Sequence, residues 1–476
     1  MLFLNPEILL HHRSGIFGTH FSFSRQTLRN NGFKFLYYGK QPDLARGALC
    51  IIIFLSSRIK VMNVNLMRRI DKILGIPLCR ILSIWHRFRL LFIRSRPFPP
   101  PRRILFMEMS EMGSMVLAYS MLMKTRTMFP GSKFYFLTFK NHRSAVDILN
   151  VIPENQVITI NPSTPWKFIQ TTFTAIRTMR RIRLDSAVDM ELFSRYSAAL
   201  SYLSGARCRV GYYQYHQEGL YRGHFLTHPV QFNCHLHISR NLLALAEALS
   251  PEPKERPLLK KAVSEKDIKR PRFRATQQEK ENIYKKIKRD YERFDGSQTL
   301  VLLNPNAGDI VPLRKWPLLR YGQLGRLILN HPGVLILVTG TSSEKTQTED
   351  LVAKINSPRC INFAGRTDFR ELMVLYDTAD ILITNDSGPA HFSTMTGIRT
   401  FVLFGPETPD LYGPLGSRSR VFYSGLACSP CVSAFNHRRT PCRNNRCLKV
   451  ISADTVYREI KNRLPGKNQH LESRHD

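Results

Sequence analysis

Short apolar runs, each closed by a turn and followed by a helix-length stretch, recur from residue 103 to residue 404 and restrict the fold more than any other feature of this chain. Arg103–Met107 (RILFM) reads as a strand. A loop through Gly113 and a helix to about Met128 follow, and Phe129-Pro130-Gly131 turns the chain into a second strand, Lys133–Phe139. Further strands are predicted at Val157–Ile160, Ala187–Met190 and Cys208–Val210. Strands that lack a polar face are covered on both sides, which requires a parallel sheet with helical, right-handed crossovers. The pattern restarts at Thr299–Leu303, Val334–Thr339, Ile381–Thr384 and Thr400–Phe404. The expected fold class is therefore α/β, with two Rossmann-like domains facing a central cleft. The expected boundaries are a poorly ordered leader (1–61), a basic amphipathic segment (62–101), a first domain (102–250), a linker (251–296), a second domain (297–463) and a disordered tail (464–476). Met62 and Met67 are alternative translation starts, because organised sequence begins there. Pro253, Pro257, Pro271 and a high charge density mark the linker, whose later part, Gln277–Tyr291, reads as helix.

The charge balance is unusual. Against 36 acidic residues stand 70 Lys and Arg, a formal +34 over 476 residues. That surplus calls for an anionic partner, either a membrane surface or nucleic acid. Between Arg68 and Arg96, Ile70, Ile73, Leu74, Leu78, Ile81, Leu82, Trp85, Phe88 and Phe92 recur at helical spacing, interrupted at Gly75-Ile76-Pro77 and interleaved with basic residues. A helix with Trp and Phe on one face and cations on the other suits a membrane surface; the alternative is a helix packed on the protein with a solvated basic side. No nucleic-acid recognition module is evident, so charge alone supports that rival reading. The apolar run Ala48–Leu55 is shorter than the ~20 residues a bilayer span needs. No signal peptide is read, and isolated cysteines suit a reducing compartment, so the expected location is cytoplasmic, peripheral at the inner face of the membrane.

The candidate chemistry lies where strands end. Ile381–Thr384 runs into Asn385-Asp386-Ser387-Gly388-Pro389-Ala390-His391. Ser387 or Asp386 can cap a following helix, Pro389 suits its first turn, and Gly388 lets backbone approach a ligand. Amides at such a helix start suit a diphosphate. Asn306, in the loop after the strand Thr299–Leu303, and Arg314-Lys315-Trp316-Pro317 should reach the same crevice, with Arg314 or Lys315 neutralising a leaving diphosphate. Glu344, after the strand Val334–Thr339, is placed to accept ribose hydroxyls.

In these residues the chain resembles glycosyltransferase family 9, the heptosyltransferase family, over roughly residues 100–463. The likeness rests on Met112-Gly113-Ser114, on Asp189 to Ser194 (DMELFS), on Gly205 to Gly211 (GARCRVG), on Arg314 to Pro317, on Gly365-Arg366-Thr367, on Asn385 to His391 and on Phe404-Gly405-Pro406. It implies the GT-B architecture and inverting, metal-independent transfer of a heptose-like sugar. The donor would be a nucleotide diphosphate sugar (ADP-heptose-like), and the acceptor an anionic, lipid-linked saccharide such as a lipopolysaccharide core. Asp386 would face the donor sugar and Ser387 and Gly388 would hold phosphate. Arg314 stands where the family usually has Lys, and Glu344 where a ribose-binding acid is common. Asn306, Lys315, Asn385 and His391 complete the donor set. The family's base is an Asp directly after the first-loop Gly, here Ser114, so the carry-over fails at that position. Glu111 is the first substitute, with Glu108, Asp189 and Glu191 as others. Gly113, Ser114, Glu191 and Arg195 form the acceptor side, with Arg207, Arg209, His216, Glu218, Arg222 and His224 nearby. A catalytically inactive scaffold of this family and a nucleic-acid-binding protein are the competing functions. Cofactors are not required for catalysis, since no Asp-x-Asp pair occurs. The cluster Cys428, Cys431, Cys442 and Cys447 is read as a structural zinc site, two disulfides or four free thiols.

Overall fold

A computed structural model of the chain describes residues 64–92, 98, 100–215, 220–249, 259–308 and 311–464. The leader, the alternative start Met62, His216, Glu218, Pro253 and Pro257, and all of the expected tail but Leu464 lie outside the described residues.

Two six-stranded, wholly parallel sheets form the frame. The first contains β1 (Arg103–Met107), β2 (Lys133–Phe139), β3 (Val157–Ile160), β4 (Ser186–Asp189), β5 (Cys208–Tyr213) and β6 (His228–Gln231) in the order β3-β2-β1-β4-β5-β6. The second contains β7 (Thr299–Asn304), β8 (Val334–Val338), β9 (Cys360–Asn362), β10 (Ile381–Asn385), β11 (Arg399–Phe404) and β12 (Ser419–Tyr423) in the order β12-β11-β10-β7-β8-β9. Every strand expected from the sequence is present. The three that were missed, β6, β9 and β12, are edge strands, short or half-exposed, so they lack the buried apolar run that marks a central strand. Both orders are doubly wound, and the direction of winding reverses between β1 and β4 and between β7 and β10. Ligands bind outside the carboxyl ends of strands at such a reversal. Met107 pairs with Asp189 there, and Thr384 with Asn304.

The described part of the linker is packed on the core. It is not a free tether: Phe273, Ile283, Ile287 and Phe294 are buried in a cluster that also holds Ile104 and Phe106 of the first sheet and Leu300 and Leu302 of the second. The Phe273 amide donates to Met395 O at 2.8 Å. The helix Gln277–Asp290 begins with a reciprocal cap between Thr276 and Glu279. Its two core residues, Ile283 and Ile287, are one turn apart but surrounded by charge, which hid them. Leu464, assigned to a disordered tail, is buried in the second-domain core.

The amphipathic segment forms two helices, Val64–Ile73 and Gly75–Phe92. A narrow face docks on the first domain, with Cys79 and Leu82 against Ala198, Ala199, Tyr202 and Phe225. Asp71 anchors it. Its carboxylate accepts from the amides of Arg195 (2.9 Å) and Tyr196 (3.0 Å) and pairs with the Arg195 guanidinium at 3.0 Å. It therefore satisfies open donors at the start of the helix Arg195–Leu203. A Cβ on Gly75 would fall 2.8 Å from Arg195 Cβ, so glycine permits this approach. Among the described residues no helix is long and apolar enough to cross a membrane.

Replacing Asp71 by Asn leaves a nearly buried guanidinium unpaired. We expect a loss of about 3 kcal/mol in urea unfolding and faster proteolysis within residues 64–92. An unchanged midpoint and digestion pattern would show that Asp71 does not anchor the segment.

Candidate active site

Asn385 closes β10 and is fully buried. Its Oδ1 accepts from the Trp316 amide at 2.9 Å, while its Nδ2 donates to Pro305 O at 2.8 Å and Asn306 O at 3.3 Å. One side-chain amide thus ties the loop after β7 and the segment before Trp316 to the end of β10. Trp316 is held in turn by its indole, which donates to Ile451 O at 3.0 Å, and Asn445 Nδ2 donates to the carbonyls of Leu313 and Lys315. The result brings the Arg314 guanidinium to 3.7 Å from Asp386. Burial pushes the Asp386 carboxyl up, Arg314 pulls it down, and Glu111 adds to the rise; the net direction is upward. Asn306 is buried with both side-chain amide atoms unpartnered. A Cβ on Gly340 would lie 2.9 Å from Asn306 Nδ2 and 3.2 Å from Glu344 Oε2, so these three residues share one corner. Glu344 Oε2 already accepts from the amide and hydroxyl of Thr341 as a helix cap. Ser387 does not cap the helix Gly388–Phe392, as its hydroxyl donates to Asn385 O at 3.2 Å.

Across the cleft, the structure separates the four base candidates. Glu191 accepts from the amides of Met109 and Ser110, at 2.8 and 2.7 Å, and from the Ser110 hydroxyl. Asp189 is ion-paired with Arg222 and accepts from Ser197 Oγ at 3.1 Å. Glu108 accepts from the amides of Ser110 and Glu111, and burial together with Glu191 and Glu111 pushes it well up. These three organise the loop. Ser114 donates its hydroxyl to Glu111 O at 2.6 Å, which engages the proton it would need to exchange. Three acceptor-side expectations change, the first being Arg222, which is buried against Asp189. Arg195 is turned to Asp71 rather than to the cleft, and Arg209 donates to Phe225 O and Ala206 O inside the domain.

Glu111 does reach the second domain. It forms an ion pair with Arg438, whose Nε also lies 3.6 Å from Glu407. The Arg438 guanidinium sits over the rings of Tyr412 and Phe193, 5.0 and 5.4 Å from their centroids. Burial works against its charge, but Glu111, Tyr412 and Glu407 outweigh that and hold it charged. Burial would push Glu111 up; Arg438, then Arg314, overcome this and leave it below the usual carboxylate range. Glu407 is pushed up to about 7, chiefly by burial. His391 is pushed down to about 4 by burial, with His237 contributing. A Cβ on Gly113 would meet His391 Cδ2 at 2.9 Å and Gly388 Cα at 3.2 Å, so the two first-turn segments face each other with glycine between them. Buried polar atoms without a hydrogen-bond partner gather here: both amide atoms of Asn306, Arg314 Nε, Asp386 Oδ2, His391 Nδ1, Glu407 Oε1 and Arg438 Nε. Folded proteins leave few such atoms, and a cluster of them at one cleft fits a polar ligand.

Sequence reasoning missed Arg438 and Glu407. Glu407 follows β11 at its carboxyl end, the same signal that drew attention to Glu344. Arg438 has no local signal: it stands in an irregular segment in left-handed backbone, φ 55°.

No disulfide joins the four clustered cysteines in this structure, and Cys428 is exposed while Cys447 is buried. They are near enough that Cys431, Cys442 and Cys428 add to the rise that burial imposes on Cys447. As placed, no three metal-binding side chains among the described residues are arranged to hold an ion. A cavity of about 1620 Å³ opens at the amino ends of β7, β10 and β11, lined by Arg270, Arg272, Arg399 and Arg463 among others. It lies at the opposite end of the second sheet from the cleft and contains none of the candidate site residues.

The chain is similar to the lipooligosaccharide heptosyltransferase 2 of Campylobacter jejuni, at 26% identity over 36% of this chain and 51% of that one. It is 20% identical to the lipopolysaccharide core heptosyltransferase OpsX of Haemophilus influenzae, over 67% of this chain and 84% of that one. The chain spans about a third to a half of the length of the first curated relatives it matches. The solved structure of E. coli ADP-heptose lps heptosyltransferase II shares the fold, with a TM-score of 0.59 and 18% identity over 76% of this chain and 98% of that one. The model of glycosyltransferase family 9 (heptosyltransferase) matches residues 173–439, more than half of the chain. This chain belongs to glycosyltransferase family 9.

Proposed function

We propose that the protein is an inverting heptosyltransferase that moves a heptose-like sugar from a nucleoside diphosphate donor to an anionic saccharide of the lipopolysaccharide-core type. The observation that carries this reading is the Asn385 clamp, which brings Arg314 beside Asp386 at the winding reversal of the second sheet. An acceptor hydroxyl oxygen attacks the anomeric carbon opposite the diphosphate. Its proton passes to the Glu111 carboxylate as the carbon–oxygen bond to the diphosphate breaks. Arg314 and Lys315 offset the charge that develops on the leaving group, with the amides at Ser387 and Gly388. The helix Gly388–Phe392 is one and a half turns long, so its dipole is weak and the two cations dominate. In this reading the charge is neutralised by side chains, with no metal in the step. Asn306 and Glu344 hold the nucleoside portion, and Asp386 faces the sugar.

A thermal-shift panel of nucleoside diphosphates and their sugars tests the donor assignment, because a ligand at one hundred times its Kd stabilises by about 2.7 kcal/mol. Absence of any shift would sink it. Asp386→Ala and Arg314→Ala should fold normally and lose on the order of 10²- to 10³-fold in kcat; full turnover in either contradicts the site.

Glu111→Gln should lower kcat by roughly 10²- to 10⁴-fold. A base must be deprotonated to act, and Glu111 lies below the ordinary range. The kcat/KM should therefore persist at mildly acidic pH and fall only as pH drops through that lowered value. An acid limb near neutrality would point to Glu407 instead.

We further propose that the helices Val64–Ile73 and Gly75–Phe92 rest on the inner face of the cytoplasmic membrane. Ile73, Ile81, Ile84, Trp85, Phe88, Leu91 and Phe92 are exposed. Arg68, Arg69, Lys72, Arg80, Arg87 and Arg89 accompany them, and the single acid, Asp71, is engaged with Arg195. Exposed apolar residues with cations around them match an anionic bilayer. The protein should co-sediment with phosphatidylglycerol vesicles and much less with phosphatidylcholine. A Trp85→Ser, Phe88→Ser double variant should bind at least about tenfold more weakly while keeping its activity on detergent-dispersed acceptor. Equal binding by variant and wild type would refute the assignment.

A further inference from the structure

Arg438 stands where the two domains meet, and each contributes the same pair of elements to it. The first domain supplies a carboxylate, Glu111, and a ring, Phe193; the second supplies Glu407 and Tyr412. A guanidinium carries five donors in a planar fork. Here Nη1 engages Glu111, while Nε and Glu407 Oε1 are ion-paired at 3.6 Å but neither makes a hydrogen bond. This buried cation is incompletely satisfied, and its strongest contact is the group the transfer reaction needs as its base. A carboxylate whose lone pairs are held by a guanidinium is a weaker proton acceptor. More positive charge stands close by. Arg68, on the first amphipathic helix, is lowered by burial and then by repulsion from Arg438 and Arg439. The Arg438 fork, with Nη1 on Glu111 and Nε making no hydrogen bond, suits an oxyanion able to bind a guanidinium with two hydrogen bonds.

We propose that Arg438 is a positioning residue that passes from Glu111 to an anionic group of the acceptor, so that the base is released only when the acceptor is seated. This inference rests on the transferase reading and adds a recognition step to it. The incoming group is an oxyanion, either a phosphate or a sugar carboxylate. Once Arg438 has turned to it, Glu111 faces Arg314, His391, Glu108, Asp386 and Arg68 without its principal partner. Its affinity for a proton rises accordingly, which suits a base.

The test compares a truncated lipopolysaccharide acceptor in three forms: untreated, phosphatase-treated and methyl-esterified at its carboxyl groups. Wild-type enzyme should prefer the untreated form, and the form that loses this preference identifies the oxyanion. Arg438→Ala should raise the KM for untreated acceptor on the order of 30-fold or more, leave the donor KM within about twofold, and erase the preference among the three forms. The acid limb of its kcat/KM should move to higher pH, because Glu111 in the free enzyme loses the cation that keeps it ionised. Arg438→Lys should recover part of the acceptor KM, since it restores charge but not the planar fork. Unchanged acceptor KM and pH profile in Arg438→Ala would overturn the proposal. Should the Arg438 variants fail to fold, Glu111→Gln provides an independent reading. Freed of its partner, Arg438 should then bind the untreated acceptor more tightly than wild type in calorimetry; equal or weaker binding overturns the proposal. A wild-type enzyme that turns over no nucleotide sugar would instead refute the transferase reading itself.

Discussion

The second half of this molecule depends on one buried side-chain amide. Asn385 has a single Oδ1 and a single Nδ2, and both are engaged by backbone from other loops. A buried amide is costly unless its partners are present, so strand end and loops are either all in place or none of them are. That constraint holds Arg314 to one position against Asp386, which is how a flexible side chain becomes a fixed charge facing the cleft. Arg314 lies 72 positions from Asp386, and Asn385 joins their two segments through the Trp316 amide. Both are placed by the residue that ends the strand.

The first domain uses acids in the same structural way. Asp189, Glu191 and Glu108 lie near one another, yet none is left as a free carboxylate, because amides, a hydroxyl and the Arg222 guanidinium engage them. Their role is to shape the loop between Met109 and Glu111. Only the last acid of that loop reaches the second domain, and it meets a cation there. The cleft is therefore an alternation of charges in a dry setting. Arg314 stands against Asp386, and Arg438 against Glu111 and Glu407. Each group moves the proton affinity of the others, upward for Asp386 and Glu407 and downward for Glu111. Opposed shifts follow when buried acids share a few cations unequally.

The amphipathic segment shows why charge and periodicity alone left two readings open. One face of these helices packs on the protein, and another is left exposed. Cys79 and Leu82 pack on the first domain, while Trp85, Phe88 and Leu91 stay outside. A helical period identifies an apolar stripe but not what covers it.

Much of the architecture was determined locally. Apolar runs without alternation required parallel strands, and glycine, proline and asparagine at their ends located the loops that carry Asp386, Arg314 and Glu111, because strand ends and turns are governed by short-range stereochemistry. The edge strands, the buried linker residues and the turn of Arg195 toward Asp71 were decided only by tertiary packing. So were the partners of the neighbouring acids, which reach as far as Arg222 for Asp189 and Arg438 for Glu111. Arg438 is the extreme case. It lies 327 positions from Glu111 in the chain, and no pattern around it signals its role. Its position follows from the meeting of two domains, and the chain encodes that meeting only through the whole of both cores.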